Sequence, residues 1–322
     1  MSDERFLVTG AAGCIGVWVL RNLVREGTPV TVLDLDSKHH RLPLVLSDAE
    51  IGRIQFITGD VSDYATVEAA LRTSEAQRII HLAALQLPFC KADPVAGARV
   101  NVVGTVNIFE AAKRLGLKSV VFASSTAVYG TREEYPQAPL AHDAPLKPHS
   151  HYGVYKQANE GTARIYLQED GIASIGLRPY VVYGAGRDQG MTSTPTKAIL
   201  AAAAGQPYHI SYGGRYCFQY ADDTARAFIQ AARADFKGAQ VFNIGGASVS
   251  TPQVIKAIER AEKSARGRIT FDDVPLPFPQ KVDNRALEQA VGSLRFTPLA
   301  DGVAETLELF RRALAEGKIK KE

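Results

Sequence analysis

The chain has 322 residues, 46% of them hydrophobic and 22% charged, and its formal net charge is +3 with neutral histidines. This length and composition are typical of a soluble globular protein with one large domain and a smaller lobe. The largely scattered basic residues and the lack of any run of about 18 apolar residues argue against a nucleic acid or a membrane as partner.

The first predicted element is a strand, Arg5–Thr9, and a helix follows over Cys14–Arg25. Three glycines spaced three residues apart, Gly10, Gly13 and Gly16, lie between the two elements or at the start of the helix. In this context glycines let the backbone turn sharply and approach a pyrophosphate, whose charge then lies at the positive end of the helix. Any one glycine can merely join strand to helix, but three at this spacing favour a phosphate-binding turn.

The second predicted strand, Pro29–Leu33, is followed directly by an acidic residue, Asp34. Its distance from Gly16 is close to the spacing of about 20 residues at which an acid accepts hydrogen bonds from the ribose hydroxyls of NAD. A 2′-phosphate would be repelled by the carboxylate. The sequence therefore predicts NAD as the cofactor.

Apolar strand-like runs then alternate with helical runs rich in Ala, Leu, Glu and Lys. This alternation predicts an α/β fold with a Rossmann-type, doubly wound parallel sheet covered by helices on both faces. The further strands are predicted over Val30–Leu33, Ile54–Ile57, Ile79–Leu82, Val120–Ala123 and Ile175–Leu177, and the helices over Asp63–Thr73, Val95–Leu115 and Tyr152–Glu169.

From about Gly184 onward, glycine and proline residues interrupt the regular alternation of strands and helices. We therefore predict an NAD-binding Rossmann domain over residues 1–183 and a mainly substrate-binding, mixed lobe over residues 184–322. The boundary is soft, because a strand over Gln240–Ile244 can return to the sheet. Helices in this part are predicted over Pro195–Ala204, Asp222–Ala234, Thr251–Ala265 and Ala300–Ala315.

A tyrosine and a lysine, Tyr152 and Lys156, stand four residues apart at the start of a predicted helix, which places both side chains on one face. A tyrosine with a pKa near 10 is a poor base at neutral pH, but a nearby ammonium lowers that pKa. The pair can then exchange a proton with a carbinol. An isolated pair at this spacing is common by chance, so the interpretation depends on what lies upstream.

The upstream segment Phe122–Gly130 leaves a buried strand and enters a loop rich in hydroxyl groups. Ligands lie at the carboxyl ends of strands in parallel sheets. Ser125 can therefore hydrogen-bond the substrate oxygen, with Ser124 and Thr126 as alternatives. Capping of a local turn is the structural alternative for each of the three.

Together these segments resemble the extended short-chain dehydrogenase/reductase family, also called the NAD-dependent epimerase/dehydratase family. The resemblance covers nearly the whole chain. The residues that carry it are TGAAGCIG (Thr9–Gly16), Asp34, Gly59–Val61, HLAAL (His81–Leu85), Asn101 with Gly104 and Thr105, SSTAVYG (Ser124–Gly130), YGVYK (Tyr152–Lys156) and LRP (Leu177–Pro179).

The resemblance implies a catalytic set of Ser125, Tyr152 and Lys156, with Ser125 chosen because it precedes Tyr129 by four residues. It places Asp60 and Val61 at the adenine. The implied cofactor-binding residues are Gly10, Gly13, Cys14, Ile15, Gly16, Asp34, Asp60, Val61, Leu82, Ala83, Ala84, Tyr152, Lys156, Pro179 and Val182.

Metal-binding residues are not expected. Cys14, Cys90 and Cys217 show no paired or metal-type spacing, which fits a reducing compartment. His81 lacks a partner at ligand spacing, and Asn101 is interpreted as a structural hydrogen-bonding residue. Because the sequence enters its first strand without room for a signal peptide, we expect a cytoplasmic protein.

Three departures from the nucleotide-sugar members of the family concern the substrate diphosphate. Val181 stands where those relatives carry an asparagine, Arg215 is one place out of register, and Pro275–Lys281 replaces a basic motif. A buried diphosphate needs several charge-assisted donors, so these departures indicate a smaller substrate.

The loop over Gly184–Thr196 offers polar groups suited to a polyol or a sugar acid. Arg187 is available for a carboxylate, although a solvated arginine in a flexible loop is an equal alternative. The predicted substrate contacts are Gln86, Ser125, Thr126, Arg187, Gln189 and Thr192.

These residues predict an NAD-dependent oxidoreductase that transfers hydride between NAD and a secondary alcohol of a small polyhydroxylated substrate, a sugar or sugar acid. The alternative is a nucleotide-sugar 4-epimerase with tightly held NAD. A non-catalytic NAD sensor is disfavoured, because it would not need the serine, tyrosine and lysine. Relatives pair the helices Val95–Leu115 and Tyr152–Glu169 between subunits, so we expect a homodimer.

Overall fold

The computed structural model describes residues 4–36 and 39–320. Seven strands form a wholly parallel sheet in the order β10-β6-β5-β4-β1-β2-β3, which confirms the predicted doubly wound arrangement. The strands are β1 Phe6–Thr9, β2 Val30–Asp34, β3 Gln55–Thr58, β4 Arg78–His81, β5 Ser119–Ala123, β6 Ala173–Arg178, β7 Val181–Tyr183, β8 Tyr208–Ile210, β9 Arg215–Tyr220, β10 Ala239–Asn243, β11 Ala247–Ser250 and β12 Ile269–Phe271.

Helices cover both faces of this sheet. On one face α1 packs against α10, and on the other α7 packs against α4 and α8. The helices are α1 Cys14–Glu26, α2 Leu42–Val45, α3 Asp48–Ile51, α4 Tyr64–Ser74, α5 Leu87–Ala92, α6 Pro94–Ala98, α7 Gly104–Arg114, α8 His151–Asp170, α9 Thr194–Ala203, α10 Ala221–Arg233, α11 Thr251–Ala261, α12 Arg285–Val291 and α13 Leu299–Ala315.

Two apolar cores lie on the two faces of the sheet. Trp18 and Phe228 are fully buried in one core, and Phe109 and Phe122 are fully buried in the other. Burial on both faces explains why the sheet strands read as short, continuously apolar runs.

After residue 184, the described part of the chain returns to the main sheet once. β10 pairs in parallel with β6, so that Phe242 lies opposite Leu177. The other late strands form two smaller sheets: β7 with β9 and β11, and β8 with β12. The smaller part is therefore mixed, as predicted, and the chain crosses between the two parts more than once after residue 184.

Most predicted bounds agree with the structure to within two residues, but one long helix is divided. In place of a single helix over Val95–Leu115, α6 and α7 flank a π-helical segment, Arg99–Val103. From this wider segment Asn101 exchanges hydrogen bonds with the backbone of Leu85, at 2.8 and 3.0 Å. Asn101 is thus structural, and π-helical turns often mark functional sites.

The predicted helix over Thr251–Ala265 ends at Ala261 and is followed by a 3₁₀ turn. Of the helices in the described part of the chain, none is both long and apolar enough to cross a membrane.

Candidate active site

The carboxyl ends of several sheet strands open into one cavity of about 520 Å³. With the exception of Asp60, every predicted cofactor or substrate residue lines it. These lining residues are Gly10, Gly13, Cys14, Ile15, Gly16, Asp34, Val61, Leu82, Ala83, Ala84, Gln86, Ser125, Thr126, Tyr152, Lys156, Pro179, Val182, Arg187, Gln189 and Thr192.

The glycine turn needs glycine at two of its positions. Gly10 has a φ of +66°, and a Cβ there would lie 2.5 Å from backbone atoms of Ala83. A Cβ on Gly16 would lie 2.5 Å from Ala11. The turn leads into α1, whose N-cap residue, Gly13, has no side chain to cap the helix. The N–H groups and positive dipole end of a 13-residue helix therefore face the cavity, as an anionic phosphate requires.

Asp34 lies at one end of the cavity, at the last position of β2. Its carboxylate oxygens accept hydrogen bonds from the backbone N–H groups of Ala12 and Leu35, both at 2.9 Å. The carboxylate is thus fixed between the glycine turn and the following loop, in the place where a ribose hydroxyl would meet it.

Asp60 is the predicted cofactor residue that lies outside the cavity wall. Its Oδ1 atom accepts a hydrogen bond from the Ser62 backbone N–H at 2.8 Å, while the neighbouring Val61 does line the cavity. Of these two residues, only Val61 lines the cavity in this structure.

Tyr152, Lys156 and Ser125 meet at the other end of the cavity. Ser150 caps α8 by accepting the Gly153 N–H at 3.1 Å, which places Tyr152 in the first turn of the helix. The Lys156 ammonium donates to the carbonyl oxygen of Ala123, the last residue of β5, at 2.7 Å. Ser125 follows two residues later, and its hydroxyl acts to lower the pKa of Tyr152.

The two alternatives to Ser125 are engaged elsewhere. Ser124 donates to the carboxylate of Glu160 at 2.5 Å, and this carboxylate also forms a buried ion pair with Arg178. Thr126 donates to the carbonyl oxygen of Pro179 at 3.3 Å. Ser125 caps the following 3₁₀ turn by accepting the Ala127 N–H at 3.1 Å, which leaves its own hydroxyl hydrogen to donate. The contacts of the three hydroxyls therefore favour Ser125 as the one that faces a substrate.

Burial sets the proton affinities of the tyrosine and the lysine. Burial raises the pKa of Tyr152, whereas the hydrogen bond from Ser125 and the charge of Arg187 act to lower it. Burial lowers the pKa of Lys156 to about 8. Arg187 is thus a second positive charge at the tyrosine besides Lys156, whose ammonium nitrogen lies 5.7 Å from the centre of the Tyr152 ring.

Arg187 is not a solvated loop residue. Its Nη2 donates to the Thr192 hydroxyl at 3.0 Å, and its Nε is buried without a hydrogen-bond partner. A Cβ on Gly190, whose φ is +89°, would lie 2.8 Å from Gln86 Oε1 and 3.3 Å from Arg187 Nη2. The glycine therefore lets both side chains approach the same point of the cavity wall.

Sequence reasoning missed Arg41 as a residue of the cavity wall. Its guanidinium forms a two-pronged ion pair with Asp188, at 2.8 to 3.0 Å, and donates to the carbonyl oxygen of Ala12 in the glycine turn at 3.0 Å. No sequence motif marks this loop arginine, since its partner lies 147 residues away. Apolar or aromatic residues that were also missed are Phe89, Tyr180, Met191 and Phe278.

Three positions in the sequence argued against a substrate diphosphate, and in the structure none of them offers it a hydrogen-bond donor in the cavity. Val181 is fully buried in β7, and Arg215 donates to the Ser248 carbonyl oxygen at 2.8 Å. From the segment Pro275–Lys281, the cavity receives the ring of Phe278.

His81 is held within the core. Its two ring nitrogens contact the hydroxyls of Thr9 and Thr105, at 2.7 and 3.1 Å. Burial lowers the pKa of His81 to about 3. In residues 4–36 and 39–320, no group of three or more His, Cys, Asp or Glu side chains is arranged to hold a metal ion.

Residues 6–245 match the family described as "NAD dependent epimerase/dehydratase family". A UDP-glucose 4-epimerase of Mycolicibacterium smegmatis is 31% identical to the chain over 322 residues, which cover 95% of this chain and 98% of the relative. The structure of a Thermus thermophilus UDP-glucose 4-epimerase in complex with NAD superposes with a TM-score of 0.80, at 26% identity, and covers 97% of this chain and 100% of that one.

A similar fold occurs in the L-threonine dehydrogenase of Clostridium difficile. It superposes with a TM-score of 0.83 at 22% identity, covering 98% of this chain and 99% of that one. At this identity the likeness concerns the fold.

Proposed function

The chain belongs to the NAD-dependent epimerase/dehydratase family, and from this premise we propose that it oxidises a secondary alcohol of a small polyhydroxylated substrate, a sugar or sugar acid. As a member of that family it is an enzyme with NAD as its cofactor. The reaction and its substrate are the proposal.

The cavity wall fits the cofactor. The glycine turn and the uncapped N-terminus of α1 would hold the diphosphate, and Asp34 would accept the adenosine ribose hydroxyls. When bound, NAD supplies the hydride acceptor at C4 of its nicotinamide.

The catalytic residues act on the substrate hydroxyl. Ser125 holds the carbinol oxygen next to the Tyr152 hydroxyl, and the tyrosine, as phenolate, takes the carbinol proton. Lys156 is held at the end of β5 by its hydrogen bond to the Ala123 carbonyl oxygen, from where it would bind the nicotinamide ribose hydroxyls.

One observation carries the choice of a small substrate: beyond the glycine turn and α1, which serve the cofactor, the described residues of the cavity offer too few cationic donors for a second diphosphate, that of a nucleotide sugar. Of the described residues that line it, Arg41, Lys156 and Arg187 are basic. Arg41 is paired with Asp188, and Lys156 is bonded to Ala123. Arg187 is left as the cation available to a substrate, which suits a single anionic group better than a diphosphate.

The second candidate is a nucleotide-sugar 4-epimerase, in which hydride leaves and returns within one catalytic cycle. It is favoured by the 31% identity to the mycobacterial UDP-glucose 4-epimerase over nearly the whole chain. The same serine, tyrosine and lysine would serve either reaction, so the distinction depends on the substrate end of the cavity.

We also propose a homodimer built on α8 and the region of α6 and α7. Large apolar side chains on these helices are solvent-exposed, with Val95 71% exposed and Val154 and Ile165 each 48% exposed. Light scattering should give the mass of two chains for the wild type and of one chain for Ile165→Glu. A monomeric wild type would contradict this assembly. A cytoplasmic location stays a prediction.

A screen of the purified protein with excess NAD tests the proposed reaction. It uses sugars, sugar acids and nucleotide sugars, follows NADH, and analyses epimerised product separately. We expect NADH with a free sugar or sugar acid. Epimerised nucleotide sugar without NADH would favour the second candidate.

A further inference from the structure

The cation Arg187 lies in the cavity wall without a counter-ion among the described residues. Across residues 4–36 and 39–320, no carboxylate lies within ion-pairing distance of the Arg187 guanidinium. Its neighbour in the chain, Asp188, points to Arg41 and bonds that residue with both carboxylate oxygens. The loop thus separates adjacent opposite charges, which leaves Arg187 available.

The polar contacts of Arg187 are also incomplete. Its Nη2 donates to Thr192, whereas the buried Nε has no partner. A buried donor without an acceptor and a partly buried charge without a counter-ion each cost free energy. Both costs are relieved if a ligand brings an anionic group to this point.

Two anionic groups are candidates to meet Arg187 in a loaded enzyme, the cofactor diphosphate and an anionic group of the substrate. Arg187 lies close enough to act on both Cys14, beside the glycine turn, and Tyr152. Burial raises the pKa of each of these residues, and the positive charge of Arg187 lowers it. The diphosphate already has the N–H groups at the start of α1. The substrate has no other uncommitted cation among the described lining residues.

We propose that Arg187, with Thr192 and Gln86 beside it, binds a substrate carboxylate, so that the enzyme is selective for hydroxy acids of the sugar-acid class. This inference rests on the proposed function. A guanidinium fork matches a carboxylate with two parallel hydrogen bonds. The open space over Gly190 lets Gln86 and Arg187 reach one ligand group together, and a side chain at Gly190 would contact both.

The test compares matched acid and neutral substrates, such as a uronate and its parent aldose, in the wild type, Arg187→Gln and Arg187→Lys. We expect Arg187→Gln to lower kcat/KM for the acid by at least about 30-fold, the lower end of the loss expected when one partner of a buried charge pair is removed. For the neutral compound, compared on the pH plateau above the acid limb of each enzyme, we expect a change below threefold, and Arg187→Lys should recover part of the loss. Arg215→Gln, at the exposed first residue of β9, is the matched control.

A second readout does not depend on turnover. NADH binding, followed by its fluorescence, should be unchanged in Arg187→Gln, and calorimetry should show the acid, but not the neutral sugar, binding to the wild-type complex with NADH. Loss of NADH affinity in Arg187→Gln would overturn the proposal by assigning the cation to the diphosphate. Equal use or equal binding of acid, neutral and phosphorylated sugars would also overturn it.

These failures differ from a failure of the proposed function. If the enzyme oxidises free sugars without preferring acids, the proposed function stands and the carboxylate site is wrong. If it epimerises nucleotide sugars and releases no NADH, the proposed function is wrong, and the calorimetric comparison of acid with neutral sugar still decides the role of Arg187.

Discussion

The Lys156 ammonium nitrogen lies 5.7 Å from the centre of the Tyr152 ring, one turn of α8 further along the chain. The ammonium is directed to the carbonyl oxygen of Ala123, so the two side chains approach the end of β5 side by side. Helix α8 and strand β5 together therefore set the geometry of the proton-transfer site.

Replacing Tyr152 by Phe removes the hydroxyl that we propose as the acceptor of the carbinol proton and keeps the ring in place. We expect kcat to fall by at least about 10²-fold, as is typical for loss of a general base, with NAD affinity little changed. Tyr155→Phe is the matched control, because the Tyr155 hydroxyl donates to the Pro94 carbonyl oxygen and that residue does not line the cavity. Near-normal turnover in the Tyr152 variant would show that another group is the base.

The pH dependence of oxidation should report the charge of Arg187. The groups that act on the Tyr152 pKa are Ser125 and Arg187, which lower it, and Cys90, which raises it together with burial. Without the guanidinium the phenolate forms only at higher pH. With a neutral substrate, the acid limb of kcat/KM should therefore move to higher pH in Arg187→Gln and return towards the wild-type position in Arg187→Lys. A limb that does not move would separate Arg187 from the proton transfer.

Cofactor choice should depend on the charge of Asp34. A 2′-phosphate beside this carboxylate is unfavourable in a partly desolvated cleft, so we expect a strong preference for NAD over NADP in kcat/KM. Asp34→Asn should reduce that preference by about tenfold or more. Removing a charge–charge repulsion of about 1.4 kcal/mol, the equivalent of one pKa unit, changes a binding constant about tenfold. Asp60→Asn, outside the cavity wall, should leave the ratio unchanged. Equal use of both cofactors by the wild type would refute the role of Asp34.

Stability against acid should depend on His81. Its pKa is lowered by burial from 6.5 to about 3, so the folded state holds the neutral ring. The contribution to stability is complete above pH 6.5 and is lost progressively as the pH falls towards 3. Urea unfolding at pH 7.5 and pH 5 should show about 2 kcal/mol less stability at the lower pH from this residue alone, at roughly 1.4 kcal/mol per pH unit below 6.5.

Two variants isolate the contribution of His81. His81→Gln should be less stable than the wild type at pH 7.5 and lose less between the two pH values. His209→Gln, which replaces a half-exposed histidine beside Asp272, should keep the wild-type difference. An unchanged difference in the His81 variant would contradict the assignment.

Local signals predicted the fold well where pattern and burial agree. The short apolar strands and the glycine turn correspond to β1, β2 and α1, because the sheet is buried on both faces and the turn admits no side chain at Gly10. The π-helical segment Arg99–Val103 left no such signal. The π-helical segment depends on hydrogen bonds between Asn101 and Leu85. These two residues are 16 positions apart in the chain, so no local pattern marks their contact.

The candidate site shows the same division. Residues in motifs, such as Tyr152 and Ser125, could be found because their spacing follows helix and strand geometry. Arg41 and Phe278 reach the cavity from loops whose course depends on tertiary contacts, so their spacing carries no periodic signal. The sequence likewise could not predict that Asp188 pairs with Arg41 and leaves its neighbour Arg187 without a carboxylate partner among the described residues, because the two charges are adjacent in the chain.

The fate of the reduced cofactor tests the central proposal most directly. The best substrate from the screen and a uridine diphosphate sugar are each incubated with catalytic enzyme and excess NAD, and free NADH and products are counted. The proposed dehydrogenase should release one NADH for each oxidised sugar or sugar acid, over many turnovers, and should bind the uridine diphosphate sugar poorly. Micromolar binding of that sugar, with epimerised product and no net NADH, would contradict the proposal and establish the 4-epimerase instead.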